Sequence, residues 1–372
     1  MGLLSALVGL PIVAARASTA TAGQPPKALI IVSFLALGLG CALLAGVVAR
    51  LTPRCRLACP RDWRATFAWM AVACAAPLLF IGGLVTSTNS GMAVPDWPTT
   101  YGSNMFLYPL GSETSASIFL EHSHRLFGTL IGMATLVLGF WTVAKERRPG
   151  VIVLAVAALL LVVIQGVLGG VRVRLGNVDP NRDLRLYAVL HGILAQLTVG
   201  TLVALAVTLT RTFTRARDES AGGFSLPRAR LLRIAATGTL HATILQLILG
   251  ALYRHLRHGH VLMTHIALSL AVVALAMLAG IAAISTQGAA PLATALRRCG
   301  RWMLGIVLLQ FTLGWAAYLL GTSAGDANNP AQAVVRTAHQ TNGALLLSFS
   351  IATLLLAKLA LRLSLPQPAA MA

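Results

Sequence analysis

The chain is predicted to be an all-α integral membrane protein: two pseudo-symmetric four-helix bundles, making eight core transmembrane helices, plus one extra N-terminal helix. Three observations predict it. Of 372 residues, 57% are hydrophobic and only 10% charged, and several runs exceed the ~20 apolar residues that cross a bilayer. Strand-period alternation is absent, which argues against a barrel. Helix pairs with shared features recur along the chain, the mark of an internal repeat.

Taken in order, residues 1–27 begin with an apolar stretch, Gly2 to Val13, too short to span and without the basic residues of a secretion signal. They could be a tail, an interfacial segment or something cleaved. The extra helix falls at 28–50. Core spans follow at roughly 67–87, 122–143, 150–171, 188–210, 230–252, 261–285, 302–320 and 337–363. The organisation expected is 1–64 as tail, extra helix and basic loop; 65–211 as an N-terminal four-helix half; 212–229 as a linker with Gly222-Gly223; and 230–365 as a C-terminal half.

Net charge is +19. In a soluble protein that would point to nucleic acid. Here the basic residues collect in alternate loops: Arg50 to Arg64, Lys145 to Arg148, Arg211 to Arg233, and Arg297 to Arg301. The positive-inside rule accounts for them, so no nucleic-acid partner is expected. The segment Thr88 to Leu120 has no Lys or Arg and is placed outside. Of the five cysteines, Cys41, Cys55, Cys59, Cys74 and Cys299, none lies in an outer loop, and all are read as reduced thiols.

The eight core helices form four pairs. The first member of three pairs ends in Gln-x-x-Leu-Gly, at Gln165–Gly169, Gln246–Gly250 and Gln310–Gly314; the earliest pair has Leu78 and Gly82-Gly83 there. The second member of every pair carries a histidine in its opening turns: His124, His191, His265 and His339. Four residues on stands a small residue, Gly128, Ala195, Ser269 or Gly343, which leaves a flat gap beside each imidazole. Two imidazoles from different helices of a bundle can clamp a planar macrocycle through its iron. One histidine per helix pair suits two separate two-ligand sites, not one tetrahedral metal cluster.

Around these histidines, Arg125, Arg172, Arg174, Arg254 and Arg336 stand on the outer side, against the general bias. They could hold anionic propionates or merely snorkel. Three residues before the histidines stand Glu121, Ala188, Leu262 and Arg336, so only the N-terminal half has a carboxylate on that face. A carboxylate there can stabilise developing positive charge or move protons. The loop with Pro95-Asp96-Trp97-Pro98 could lie as a lid over the N-terminal site or form an aromatic belt. His255, His258 and His260 read as a solvated loop, His241 as hydrogen-bonded to a neighbour, and His122 as a competitor of His124.

Together Glu121-x-x-His124-Arg125, the Pro95–Pro98 motif, the Gln-x-x-Leu-Gly helix ends and histidines 191, 265 and 339 resemble the haem A synthase family, over roughly residues 67–363. The resemblance implies a haem-modifying oxidoreductase that converts haem O to haem A by oxidising a ring methyl to a formyl, for terminal oxidase assembly. It implies that His124 and His191 hold the substrate haem O, with Glu121 catalytic, while His265 and His339 ligate a haem b that relays electrons. Arg125, Arg172, Arg254, Arg336, Gln165, Gln246 and Gln310 are the residues expected around the two haems.

The chain departs from many bacterial members in lacking a cysteine pair around the Pro-Asp-Trp-Pro motif, where Val94 and Thr100 stand, and in its extra helix. The alternative is a di-haem b membrane cytochrome that only transfers electrons; a transporter fits less well, because the halves run parallel and no broken helix marks a midplane site. Expected partners are haem O, a haem O synthase, an electron donor, membrane lipid and a second copy of the chain. Without an Arg- and Ser-rich presequence, the expected location is the bacterial plasma membrane, multi-pass, with both haem sites near the outer face.

Overall fold

The computed structural model describes residues 62–108, 115–218, 224–287, 290–322 and 330–365. The extra helix expected at 28–50, with Cys41, Cys55 and Cys59, lies outside the described residues. Nine helices are present among those described: α1 Trp63–Ser87, α2 Ala116–Lys145, α3 Pro149–Val178, α4 Arg185–Leu209, α5 Arg211–Asp218, α6 Leu226–Leu256, α7 Gly259–Ile284, α8 Ala290–Thr322 and α9 Pro330–Ser364. All but α5 are long and apolar enough to cross a membrane.

The helices begin where the chain supplies caps. The Asp62 side chain accepts from the Arg64 and Ala65 amides, and Ser115 from that of Ile118. Pro149 opens α3 at a position whose missing N–H costs nothing. At the end of α6, Arg257 turns into the left-handed region at φ 61°. Several helices outrun the apolar spans read from sequence, notably α2, α8 and α9 at their starts. Apolar runs mark the hydrocarbon thickness, whereas helices continue through polar turns as long as caps satisfy their ends. His124 and His339 therefore lie more than two turns inside their helices, not in the opening turns.

Helices α1 to α4 close into one four-membered ring, with α1 on α2 and α4, and α3 on α2 and α4. Helices α6 to α9 repeat the arrangement, and α9 crosses onto α4 and α1 to join the rings. The seam shows in burial: α4 and α9 bury 67% and 61% of their apolar windows, against 39% or less for the other six spans. Along α3 the stripe Val153, Val156, Leu160, Val163 and Val167 is exposed, as a lipid-facing surface should be.

Within the stretch expected as linker, Arg211–Asp218 is a two-turn helix and α6 begins at Leu226. The Phe213 amide donates to Thr210 Oγ1, and Ala216 and Phe224 join the core beneath. A basic, polar composition hid a segment fixed by a few buried apolar side chains.

At the basic end of the first bundle, Glu146 meets Arg148 at 2.8 Å and Arg64 at 3.6 Å. The Arg148 guanidinium holds its carboxyl down from 4.5 to about 2. A carboxyl depressed in the fold adds stability above its unfolded value and loses it as pH falls through the folded one. Acid unfolding of the detergent-solubilised protein is expected to gain this component between pH 4.5 and about 2. A Glu146→Gln chain should show a flatter acid limb in circular dichroism over that window.

Candidate functional site

Each histidine is seated by the helix before it. A Cβ on Gly82 would come within 2.8 Å of His124 Cε1; on Gly169, 3.5 Å from His191 Cε1; on Gly250, 3.0 Å from His265 Cε1; on Gly314, 3.1 Å from His339 Cε1. Glycine at these four positions, five to nine residues before its helix ends, lets the Cε1 edge of an imidazole approach the neighbouring backbone. The repeat marked these glycines without showing what they touch.

The rings then meet in twos within each bundle. His124 and His191 have centroids 6.4 Å apart and planes at 78°. His265 and His339 have centroids 6.3 Å apart at 75°. One turn beyond His124 on the same face, a Cβ at Gly128 would meet nothing within 4 Å, so open space adjoins that ring. The Nδ1 atoms of all four histidines are buried without a hydrogen-bond partner.

The three glutamines differ. Gln246 Nε2 donates to the His265 carbonyl at 2.8 Å. Gln310 Nε2 lies 3.4 Å from His339 Nε2, and its oxygen accepts from Asn342 at 2.8 Å. Gln165 Nε2 is buried with no partner.

Glu121 is only 3% exposed, and both its oxygens are engaged. Oε2 accepts from the Val94 amide at 2.9 Å and Oε1 from Arg125 at 2.6 Å. Arg125, expected among the anion-holding arginines, instead staples the loop: it donates to the Val94, Asp96 and Thr99 carbonyls at 2.9, 2.6 and 3.1 Å. Asp96 in turn accepts from the Thr99 hydroxyl and the Tyr101 and Gly102 amides. Burial pushes the Asp96 carboxyl up, but these donors outweigh it and hold it below its usual range. Trp97 lies directly on Gly170, next to the glycine that seats His191. The loop is thus pinned one turn from His124 and one residue from Gly169, in the position of a cover. His122 belongs to this cover too, against Tyr108 with ring centroids 5.3 Å apart and near the Thr100 hydroxyl.

Of the other arginines, Arg172 lies beside the cover, Arg254 between the halves and Arg336 within the C-terminal bundle. Arg172 Nη1 would lie 3.2 Å from a Cβ on Gly91, and its Nε is buried without a partner. Arg336 rests against Gly321 on α8. Arg254 reaches from α6 across the seam, donating to the Gly83 carbonyl at 2.9 Å, Ser87 Oγ at 2.7 Å and Gln340 Oε1 at 2.6 Å. It therefore ties the residue after Gly82 to the residue after His339. An Arg254→Met chain loses these charge-assisted bonds. It is expected to lose on the order of 3 kcal/mol, read as a lower thermal midpoint in tryptophan fluorescence, with Arg254→Lys falling between.

His255 is not in a solvated loop: it lies in the last turn of α6, half-buried, near Arg254 and Arg172. His241 Nδ1 bonds the Thr237 carbonyl of its own helix at 2.8 Å, not a neighbouring helix. His258 and His260 stack on each other, and no group of three metal-ligating side chains occurs among the described residues. Cys74 and Cys299 are in no disulfide.

The model of the COX15-CtaA family, described as cytochrome oxidase assembly protein, matches residues 65–267, more than half of the chain. The chain belongs to this family. The match runs from α1 into α7 and takes in His124, His191 and His265. Curated relatives named haem A synthase include one from Beijerinckia indica, 30% identical over 49% of this chain and 55% of the relative. Another, from Rhodopseudomonas palustris, is 28% identical over 56% and 61%. A third, from Exiguobacterium sibiricum, is 28% identical over 48% and 54%. The chain thus spans a little over half the length of these relatives.

Proposed function

We propose that the protein oxidises the ring methyl of haem O to a formyl by successive hydroxylation, as a haem A synthase supporting terminal oxidase assembly. The observation that carries this reading is the pair of facing imidazoles in each bundle. Axial nitrogens at ~2.0 Å from a metal place ring centroids about 6 Å apart, and both pairs stand at that separation. The open space at Gly128, one turn beyond His124 on the same face, also fits a planar guest.

In this reading His124 and His191 hold the substrate haem O, and His265 and His339 hold a resident haem b. Haem b, when bound, supplies a one-electron couple. The protein's own residues do the rest. The loop pinned by Glu121, Arg125 and Trp97 excludes water from the substrate side. Glu121, buried beside the covered pair, keeps a negative charge where positive charge develops on the macrocycle. Arg172, with its unpartnered Nε, and Arg336 are the arginines placed to meet propionates. Gln165, with its amide free, is placed to donate to the substrate, whereas Gln246 and Gln310 steady the resident pair. A haem O synthase and an electron donor are the implied partners, in a bacterial plasma membrane with both sites toward the outer, less basic face.

The near-identical geometry of the two pairs also suits a di-haem b cytochrome. Co-expression with a haem O synthase separates the two. Haem A in the extracted pigments supports oxidation; full haem loading with haem O and haem b alone supports electron transfer.

A further inference from the structure

We propose that the basic end of the protein seats one anionic phospholipid, in a slot between the start of α3, the ends of α4 and α9, and the short helix α5. The slot has a volume of about 420 Å³, room for roughly a dozen water-sized groups, which suits a glycerophosphate head and the first methylenes. Its wall is apolar: Val151, Leu154, Phe213 and Leu359. Its mouth carries three guanidiniums, of Arg148, Arg217 and Arg362.

Two of those three charges are free to meet a ligand. Arg148 is spent on Glu146 and on the Thr208 carbonyl. Arg362 uses Nη1 on the Arg217 carbonyl, which draws the two residues together and leaves the rest of its fork open. No ion pair among the described residues involves Arg217 or Arg362. Both are exposed, Arg362 in the last turn of the apolar helix α9 and Arg217 beside it in α5, the depth at which a lipid phosphate lies. The arrangement is amphiphilic, cationic at the rim and apolar below, and it opens on the face that the positive-inside rule directs to the anionic leaflet. A soluble anion would leave the apolar wall in water, and a zwitterionic lipid would bring a choline toward two cations. The occupant is therefore a lipid with net negative charge, such as phosphatidylglycerol. The slot also joins parts of both bundles, so the lipid would brace α5 against α9.

The test is native mass spectrometry of the full chain in detergent with phosphatidylglycerol or phosphatidylcholine. The wild type is expected to retain phosphatidylglycerol preferentially. The Arg217→Gln/Arg362→Gln chain should bind it about 30-fold more weakly, with Arg217→Lys/Arg362→Lys recovering most of the loss. Circular dichroism checks that each variant is folded. Equal retention of the two lipids, or unchanged retention by a folded double-glutamine chain, overturns the proposal. Displacement of the lipid by millimolar glycerol 3-phosphate overturns it as well, because the apolar wall would then contribute nothing.

Discussion

A His191→Ala chain is expected to lose the haem of the N-terminal bundle and keep that of the C-terminal bundle, and His339→Ala the reverse. The rings face each other only within a bundle, at 6.4 and 6.3 Å, so each substitution removes one ligand of one pair. Haem extracted from purified protein should fall from about two groups per chain to about one in either variant, with the lost group being haem O in the first and haem b in the second. Double variants within a pair should match the single ones, whereas His191→Ala/His339→Ala should leave almost none. If one substitution empties both bundles of a protein that remains folded, the pairing is wrong.

The second large effect concerns Glu121, where two substitutions separate chemistry from architecture. Glu121→Ala removes the acceptor of the Val94 amide and leaves the Arg125 guanidinium buried without its carboxylate. Breaking such a pair from one side costs about 3–5 kcal/mol, so residues 93–103 should exchange amide hydrogen much faster, and product should vanish with the cover. Glu121→Gln keeps an oxygen for one donor and removes the charge. It should leave the cover near native exchange and the haem b spectrum intact, yet yield less than a hundredth of the haem A. Glutamine supporting near-native product would reduce Glu121 to a staple and refute its electrostatic role.

Much of this was legible because the fold repeats itself. The apolar runs located the eight spanning helices, and the recurrent histidines are the side chains that meet in two pairs. The roles of Gly82, Gly169, Gly250 and Gly314 were not legible: a glycine near a helix end reads the same whether it stops a helix or receives a ring. Arg125 looked like a cation awaiting an anion, because nothing in local spacing says that a loop 26 to 31 residues away offers it three carbonyls. Trp97 on Gly170 and Arg254 across the seam are contacts of the same long-range kind. Helix α5 was missed because its few buried side chains are diluted by arginines.

The glycine seats also limit how each ligand can be tuned. Backbone groups of Leu78, Gln246 and Gln310, each four residues before a seating glycine, approach His124, His265 and His339, so the same helix turn that seats these rings also offers them the same kind of outer partner. On the proposed reading, the two haem sites would then be nearly alike on their histidine sides. Whatever makes one centre reactive and the other a mere conduit must act around the periphery of the tetrapyrrole, where one bundle has its buried acid and clasped loop and the other does not.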